Sequence, residues 1–286
     1  MKAAVTGATG YVGRFVVPAL LAHGCRVSAL VRAGSDRSGF AQPPEWTTGL
    51  DELVEGADVL IHCAFGHLPG RYRGGEGDDP VGFWKENHLG TVRLLDAARR
   101  AGVQRVIYLS SRAVYGSDLP QEIPEDHPVA PDTHYGALKV AGESLAAVFP
   151  EMSFVSLRAT GVFGITHPVA RSKWRHLLAE LAEGRLPEPR TGTEVHGADL
   201  ADAVIRLLDA PAGAYNCSDI IFDTTQLVSM ACDEFALELP APGPAPLQRG
   251  VMRCDKMHAL GWRPRGAEAV RETVRSLGES VGLKVR

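Results

Sequence analysis

The sequence predicts an α/β protein built on a doubly wound parallel sheet, with a smaller, mostly helical lobe toward its C-terminus. Three observations predict this class. Apolar runs typical of buried strands alternate with helical spacings over about 160 residues. A glycine-rich turn joins the first strand to the first helix. Beyond residue 164 the alternation loosens, and helical segments separated by prolines take over.

The glycine-rich turn spans residues 6–13, between an apolar run at 2–5 and helically spaced apolar residues at 15–22. Gly7 suits a tight turn, Gly10 lets the main chain approach a ligand, and Gly13 lets helix and strand pack closely. The helix N-terminus carries free N–H groups and a partial positive charge, which suit a pyrophosphate. Glycines alone also mark ordinary turns, but the strand–turn–helix context favours nucleotide binding.

The second strand, at 27–31, indicates which nucleotide is bound. Folds selective for NAD often place an acidic residue at its end, to hold the ribose 2′-hydroxyl. Here Val31 occupies that position and Arg32 follows it. Because a guanidinium suits a 2′-phosphate, the sequence favours NADP(H), with NAD(H) possible. The alternative is that Arg32 is merely a solvated charge at a strand end.

The remaining elements of the first half follow in order. A weak strand at 46–48 and a short helix near 50–54 precede a strong strand at 59–64. The glycine-rich loop at 66–80 is either a lid over the ligand edge or plain disorder. The next elements are predicted as a helix at 84–100, a strand at 106–109, a loop at 117–133, a helix at 134–148 and a strand at 154–157.

In the C-terminal half, the sequence predicts helices, one last short strand at 214–216 and a proline-rich linker or rigid loop at 240–246. The helices are predicted at 172–183, 199–208, 225–237, 255–260 and 267–277. We therefore divide the chain into a dinucleotide-binding domain of the Rossmann type, 1–164 with 193–217 returning to it, and a substrate lobe, 165–192 with 218–286.

Composition excludes several classes of protein. A net charge of −4 without a long basic run argues against nucleic-acid binding. No apolar stretch reaches the ~20 residues that span a bilayer, and the first strand begins too early to leave room for a signal peptide. The five cysteines and ten histidines show no metal or redox spacing. The sequence thus predicts a cytoplasmic protein without a metal site or membrane contact.

Two side chains on one predicted helix can carry acid–base chemistry. Tyr135 and Lys139 are four residues apart and so share a face. An ammonium near a phenol stabilises the phenolate, which makes Tyr135 a usable proton donor or acceptor. Ser111 follows the fifth strand at the same sheet edge and can bind a substrate oxygen. The plain alternatives are a surface pair for Tyr135 and Lys139, and a turn or N-cap for Ser111.

These pieces occur in an order that resembles the extended short-chain dehydrogenases/reductases, the NAD(P)-dependent epimerase/dehydratase family. The resemblance runs nearly end to end. The matching segments are TGATGYVG at 6–13 (family TGxxGxxG), DVLIHCA at 58–64 (DxVxHxA), NHLGT at 87–91 (NxxGT), SSRAVYG at 110–116 (SSxxVYG), the pair Tyr135 and Lys139 (YxxxK), LRATGVFG at 157–164 (LRxxNVYG), HGADL at 196–200 (HVxDL) and LGWRP at 260–264 (LGWxP).

The resemblance implies roles for individual residues. It implies Ser111, Tyr135 and Lys139 as a catalytic triad, with Asn87 as a supporting residue near the cofactor. Together with the strand–turn–helix context, it implies cofactor contacts by Gly7, Thr9, Gly10, Tyr11, Val12, Gly13, Arg32, Ala64 and Phe65, and further contacts by Tyr135 and Lys139. It also implies a homodimer, for which Val92, Leu95, Leu145 and Val148 are candidates unless they face the sheet.

Departures from the family pattern restrict the chemistry. Arg112-Ala113 replaces the Asp-Glu of dehydratases, so elimination is not expected. Gly161 stands where sugar-nucleotide enzymes carry an Asn, and the Arg-Asp-Phe/Tyr segment that often precedes HVxDL is absent, since the chain reads TEVH at 193–196. The sequence therefore predicts an NAD(P)-dependent oxidoreductase acting on a small carbonyl or sugar-like substrate. The alternatives are an NAD(P)-dependent nucleotide-sugar epimerase and a non-enzymatic NADP-binding regulator.

Overall fold

The computed structural model of the chain describes residues 1–68, 71, 74–241 and 243–285. Its strands are β1 (Lys2–Thr6), β2 (Arg26–Leu30), β3 (Glu45–Thr47), β4 (Val59–His62), β5 (Arg105–Ser111), β6 (Glu122–Ile123), β7 (Ser153–Ala159), β8 (Gly161–Phe163), β9 (Thr191–His196), β10 (Gly213–Cys217), β11 (Ile220–Asp223) and β12 (Val251–Met252). Its α-helices are α1 (Gly13–Ala22), α2 (Leu50–Val54), α3 (Pro80–Trp84), α4 (Gly90–Arg100), α5 (His134–Ser144), α6 (Arg175–Ala182), α7 (Gly197–Arg206), α8 (Thr224–Phe235), α9 (Asp255–Ala259) and α10 (Ala267–Ser280).

Seven strands form a parallel sheet in the order β10-β7-β5-β4-β1-β2-β3. The doubly wound sheet predicted from the sequence is confirmed. The order reverses at β1, which lies between β2 and β4. A crevice opens at such a reversal, outside the carboxyl ends of the strands. The glycine-rich turn after β1 and residues 63–66 after β4 line this crevice.

The main sheet is buried on both faces, as strands made of continuous apolar runs require. Alternate residues of β1 point to opposite faces, because side chains of a strand alternate. Ala3 and Val5 pack in one core cluster with helix residues such as Val16, whereas Ala4 packs in a second cluster with Leu95. Helices α1 and α7 lie against each other on the first face.

A second, three-stranded sheet was not predicted. It has the order β11-β9-β8 and lies next to α6, α8 and α10, whose apolar faces form a third core cluster. Its centre is a stacked pair, Phe163 on Trp174, with ring centroids 4.3 Å apart. Within the segment 193–217, residues 193–196 therefore belong to this second sheet as part of β9. The rest of the segment belongs to the main sheet, because α7 packs against it and β10 is its edge strand. The division into domain and lobe stays a proposal.

The loop predicted at 66–80 is described only in part, since residues 69, 70, 72 and 73 lie outside the described residues, as does residue 242 of the proline-rich segment. The following helix was predicted to start at 84. It begins at Pro80 instead, where the Asp79 side chain accepts a hydrogen bond from the Gly82 amide. It also contains one π-helical turn at Lys85–Leu89, between α3 and α4.

Two of the four side chains proposed for a dimer interface are in the core. Leu95 is fully buried and Leu145 is 6% exposed, because both face the main sheet. Val92 packs partly against the same cluster, and Val148 is exposed. Among the described residues no helix is both long and apolar enough to cross a membrane.

Candidate active site

The glycine-rich turn leaves β1 with almost no room for side chains. Gly7 has φ +73°, and a Cβ on it would lie 2.6 Å from the Ala64 nitrogen. A Cβ on Gly13 would collide with the Gly7 carbonyl oxygen. The Gly10 amide donates to that same oxygen at 2.9 Å. The main chain therefore forms a tight turn just before the N-terminus of α1. The first amides of this helix lack partners within the helix.

The other residues of this turn hold it against the rest of the molecule. Val12 precedes α1 and packs against the core beneath it. The Tyr11 hydroxyl donates to the Gly164 carbonyl at 2.9 Å and accepts from the Lys173 amide at 3.3 Å. The Thr9 carbonyl accepts from the guanidinium of Arg14 at 3.1 Å. The turn therefore contacts the segment that leads into the C-terminal lobe.

Arg14 is a residue that the sequence analysis missed. Its side chain is only 2% exposed, and burial lowers the pKa of its guanidinium. It donates to the carbonyls of Asp36 at 2.8 Å and Ser38 at 2.6 Å, and also to that of His167. An arginine in the first turn of an otherwise apolar helix was the available signal. Arg14 fixes the loop that follows Arg32.

Arg32 lies at the open edge of the crevice. Its side chain is 83% exposed and reaches Glu86 at 3.4 Å, also at the surface. A Cβ on Gly66 would lie 3.4 Å from the Glu86 carboxylate, so Glu86 extends over the loop after β4. An exposed ion pair of this kind is weak, which leaves the guanidinium available to an anion. The carboxylate of Glu86 was not singled out in the sequence.

Asn87 lies in the π-helical turn and holds the loop after β4. Its Oδ1 accepts from the Gly66 amide at 2.7 Å, and its Nδ2 donates to the Gly66 carbonyl at 2.9 Å. Nδ2 also donates to the Phe83 carbonyl at 2.9 Å. The side chain acts as a two-point clamp on Gly66, rather than facing solvent as an Asn within a helix usually does.

Phe65 joins this loop to the helix that carries the acid–base pair. The Phe65 ring lies edge-on to the Tyr135 ring, with centroids 4.9 Å apart. The Lys139 Nζ lies 4.4 Å from the Phe65 centroid and 5.6 Å from that of Tyr135. Ala64, one residue earlier, donates its amide to the Thr6 hydroxyl at 3.3 Å. The structure therefore brings together Ala64, Phe65, Tyr135 and Lys139 beside the glycine-rich turn.

Lys139 has a strongly perturbed pKa. Its side chain is buried among aromatic rings, and burial lowers the pKa of its ammonium to about 7. Nζ donates to the Leu109 carbonyl at 2.7 Å, near the end of β5. A buried lysine with a perturbed pKa, beside a tyrosine in a crevice, is typical of a functional site.

Ser111 ends β5, two residues beyond the carbonyl that holds Lys139. Its Oγ accepts from the Ala113 amide at 3.1 Å and so caps the short 3₁₀ turn Arg112–Tyr115. The side chain is partly exposed at the carboxyl edge of the sheet. The cap fixes the position of the hydroxyl oxygen and leaves its proton for another acceptor.

A second feature missed in the sequence is a buried ion pair behind this edge. The guanidinium of Arg158 holds both carboxylate oxygens of Glu143, with Nη2 at 2.6 Å from Oε2. Ser110 donates to the same carboxylate. The sequence feature that could have indicated this pair is Arg158, an arginine directly after the apolar run of a strand predicted to be buried. This pair fixes α5, and with it Tyr135 and Lys139, against β5 and β7.

Comparison with known proteins places this geometry in a family. Residues 3–218 match the NAD dependent epimerase/dehydratase family. The 4-hydroxy-2-methyl-3-oxo-4-farnesyl-3,4-dihydroquinoline-1-oxide ketoreductase of Stigmatella aurantiaca is 35% identical over 177 residues, which are 57% of this chain and 51% of that protein. A UDP-glucose 4-epimerase of Lacticaseibacillus casei is 26% identical over an alignment of 314 residues that covers 92% of both proteins.

Solved structures are similar over nearly the whole chain. The UDP-glucose 4-epimerase of Thermus thermophilus, in complex with NAD, superposes with a TM-score of 0.79 at 28% identity, covering 97% of this chain and 99% of that one. Among the curated relatives, the chain matches only about half the length of several, 51% of the ketoreductase and 52% of a UDP-glucose 4-epimerase of Corynebacterium glutamicum.

Proposed function

The chain belongs to the NAD-dependent epimerase/dehydratase family, and we propose that within it the protein is an NADP(H)-dependent oxidoreductase acting at a carbonyl/alcohol carbon. The observation that carries the proposal is the packing of Tyr135 and Lys139 on Phe65. It puts a phenol and a buried lysine at the carboxyl edge of the sheet, beside the glycine-rich turn. This is where an open α/β sheet binds its ligand.

The residues at the edge of the crevice fit a dinucleotide. The turn at 6–13 has no space for a Cβ at Gly7 or Gly13, so the main chain itself lines the crevice. Amides at the N-terminus of α1 would hold the pyrophosphate, and Arg32 would pair with the 2′-phosphate of NADP(H). Asn87 would act indirectly, by holding the loop that contains Phe65 and Gly66.

Each polar side chain then has one task. When bound at this edge, NADPH would supply the hydride. Tyr135 gives a proton to the substrate oxygen, and Lys139 stabilises the phenolate that results. Ser111 donates a hydrogen bond to the same oxygen, and so orients the carbonyl toward Tyr135. In the oxidative direction the proton moves from the alcohol to Tyr135.

Three observations favour a reductase over other family chemistries. One relative that matches is a ketoreductase. Gly161 replaces the Asn of the family motif and the Arg-Asp-Phe/Tyr segment is absent, so groups that are usual in nucleotide-sugar enzymes are missing. Arg112 replaces the acid of a dehydratase and donates to the carbonyls of Arg249 and Gly250, which commits it to a structural contact.

The second candidate is a nucleotide-sugar epimerase that uses NAD. The whole-chain likeness to UDP-glucose 4-epimerases favours it, as does the NAD in the Thermus structure. Such an enzyme oxidises and re-reduces one carbon without net redox change, so it retains its cofactor through purification. Denaturing the purified protein and measuring the released dinucleotide separates the two candidates. A stoichiometric amount of NAD favours the epimerase, and an exchangeable NADP(H) favours the reductase.

The proposal is tested by NADPH-dependent reduction of a panel of ketones and aldehydes by wild type and Tyr135→Phe. We expect turnover to fall by roughly 10²- to 10⁴-fold in the variant, because the proton donor is lost. Tyr215→Phe is the matched control, since Tyr215 lies on edge strand β10 and its hydroxyl donates to the Pro211 carbonyl. Full activity in Tyr135→Phe would contradict the proposal. Survival of a partner-binding function without turnover would favour the NADP-binding regulator.

A further inference from the structure

An ion pair in the C-terminal lobe has no task in the mechanism above. The Lys173 Nζ lies 2.6 Å from Glu194 Oε1. The Glu194 side chain is 3% exposed and that of Lys173 is 28% exposed. The other carboxylate oxygen, Oε2, is buried and has no hydrogen-bond partner among the described residues. Buried polar atoms nearly always have a partner, so this one requires an explanation.

Comparison with Glu143 shows how unusual this oxygen is. Both oxygens of Glu143 accept hydrogen bonds, from the forked guanidinium of Arg158 and from Ser110. Lys173 offers a single ammonium and reaches one oxygen of Glu194. A carboxylate has acceptor sites on both oxygens, so Glu194 keeps the capacity to bind a donor that the chain does not supply.

The pair lies beside the proposed active site. Ser111 pairs in register with Ala159 at the end of β7. Two residues further, Gly161 pairs in register with Glu194. The Lys173 amide donates to the Tyr11 hydroxyl at 3.3 Å, in the glycine-rich turn. Glu194 is therefore paired two residues beyond the strand partner of Ser111, and the main chain of Lys173 contacts the turn proposed for the cofactor.

Gly161 gives this pair its space. A Cβ at that position would lie 2.9 Å from the Lys173 Nζ and 3.2 Å from the Glu194 Cδ. Gly161 is itself partly exposed, as Lys173 is, so the pair borders an accessible surface. A larger residue would displace the lysine, the carboxylate or both.

We propose that Glu194 Oε2 accepts a hydrogen bond from a hydroxyl of the substrate, with Lys173 holding the carboxylate in place. The inference rests on the proposed function and adds a substrate class to it, the neutral hydroxylated ketones and aldehydes. A donor on the substrate satisfies the buried oxygen.

The test compares carbonyl compounds that differ only in hydroxyl groups, reduced with NADPH. The pairs are phenacyl alcohol with acetophenone, and glyceraldehyde with propanal. In wild type we expect the hydroxylated member of each pair to have the higher kcat/KM. In Glu194→Gln, where an NH₂ group replaces the acceptor, we expect kcat/KM for the hydroxylated member to fall roughly 10- to 100-fold and that for its partner to change little. Glu183→Gln, an exposed change, is the control.

A second measurement does not depend on turnover. Phenacyl alcohol is titrated by calorimetry into the NADP⁺-loaded wild type, Glu194→Gln and Lys173→Met, after circular dichroism has shown that each variant is folded. We expect both variants to bind it more weakly than wild type, and acetophenone equally in all three. Because binding is read directly, this result stands or falls separately from the reaction assigned to Tyr135.

Several outcomes would overturn the inference. Equal losses for hydroxylated and plain carbonyl compounds would make Glu194 a structural residue. A wild type that does not favour the hydroxylated members would contradict the substrate class, as would binding of UDP-glucose in place of these compounds. In each case, reduction of plain ketones that is lost in Tyr135→Phe leaves the proposed function intact. Binding that depends on the hydroxyl group, without any reduction, would support the role of Glu194 and contradict the proposed function.

Discussion

Arg32 is the side chain on which the choice of cofactor depends. We expect NADPH to bind wild type more tightly than NADH, and Arg32→Ala to weaken NADPH binding roughly 10-fold while NADH changes little. Fluorescence titration of both cofactors measures this directly. Arg26→Ala, at the opposite end of the same strand, is the control. Equal affinity of wild type for both cofactors would make the exposed guanidinium a solvated charge, and the NAD-dependent epimerase would become the leading hypothesis.

Lys139 predicts how stability depends on pH. Burial lowers the pKa of its ammonium from 10.5 to about 7. Between these values the unfolded chain holds a proton that the folded chain lacks, so stability rises with pH by roughly 1.4 kcal/mol per pH unit in that window. Below it, both states are charged and the dependence vanishes. We expect the difference in unfolding free energy between wild type and Lys139→Met to rise with pH in urea titrations, with Lys85→Met, at an exposed lysine, as the control.

The π-helical turn is the element that places the loop after β4. We expect Asn87→Ala to lower the free energy of unfolding by about 1–2 kcal/mol, because it removes the clamp on Gly66. Asn87→Asp should cost more, since it sets a carboxylate oxygen against the Gly66 and Phe83 carbonyls that now accept from Nδ2. Urea unfolding measures both, with Arg93→Ala on the exposed face of α4 as control. An Asp variant as stable as wild type would contradict the clamp.

At the level of elements, the sequence predicted those whose signal is local. All seven strands of the main sheet were predicted, five of them because each is a compact apolar run, whereas those at 46–48 and 214–216 gave weaker signals. The sheet β11-β9-β8 was not predicted, because β8 follows β7 after a single residue and reads as its continuation. The π-helical turn was not predicted, because local spacing does not distinguish it from an α-helix and the contact made from it, between Asn87 and Gly66, joins residues more than 20 apart in the chain.

The candidate site was predictable to the same degree. Motif order pointed to Tyr135, Lys139 and Ser111 as candidates, and the structure packs the first two on Phe65. The sequence could not show that Lys139 is buried, because the rings that cover it, Phe65 and Tyr108, are far from it in the chain. The sequence also could not show that Glu194 Oε2 lacks a hydrogen-bond donor among the described residues, because this depends on the positions of all the side chains around it.

The homodimer is a prediction about the whole molecule. With Leu95 and Leu145 in the core, Val148, which is 62% exposed, and Leu89, which is 46% exposed, are apolar side chains at the surface beside α5 and α4. We expect light scattering at micromolar concentration to give about twice the mass of the 30.6 kDa chain, and Val148→Asp to give the mass of one chain. A monomeric wild type would contradict the dimer. A dimeric Val148→Asp variant would show that the interface does not include Val148.

A buried hydrogen-bond network joins the main sheet to the C-terminal segment. Asn216, on edge strand β10, has no exposed surface. Its Oδ1 accepts from the Tyr115 hydroxyl at 2.8 Å, and its Nδ2 donates to the carbonyls of Ile123 at 3.3 Å and Arg253 at 2.9 Å. Tyr115 in turn accepts from Arg158 at 2.9 Å. The network thus links the strand pair β6–β12 to the ion pair that fixes α5.

Asn216→Leu tests whether this network couples the two parts of the molecule. Leucine has a similar volume but leaves one hydroxyl and two carbonyls buried without their partner, so we expect a loss of about 2–4 kcal/mol in unfolding free energy. Since α5 depends on the same chain of bonds through Arg158 and Glu143, turnover should fall as well, although Asn216 touches none of the proposed catalytic side chains. Gln226→Leu, at an exposed position of α8, is the control. A loss of stability with unchanged turnover would mean that the network supports the fold without positioning Tyr135.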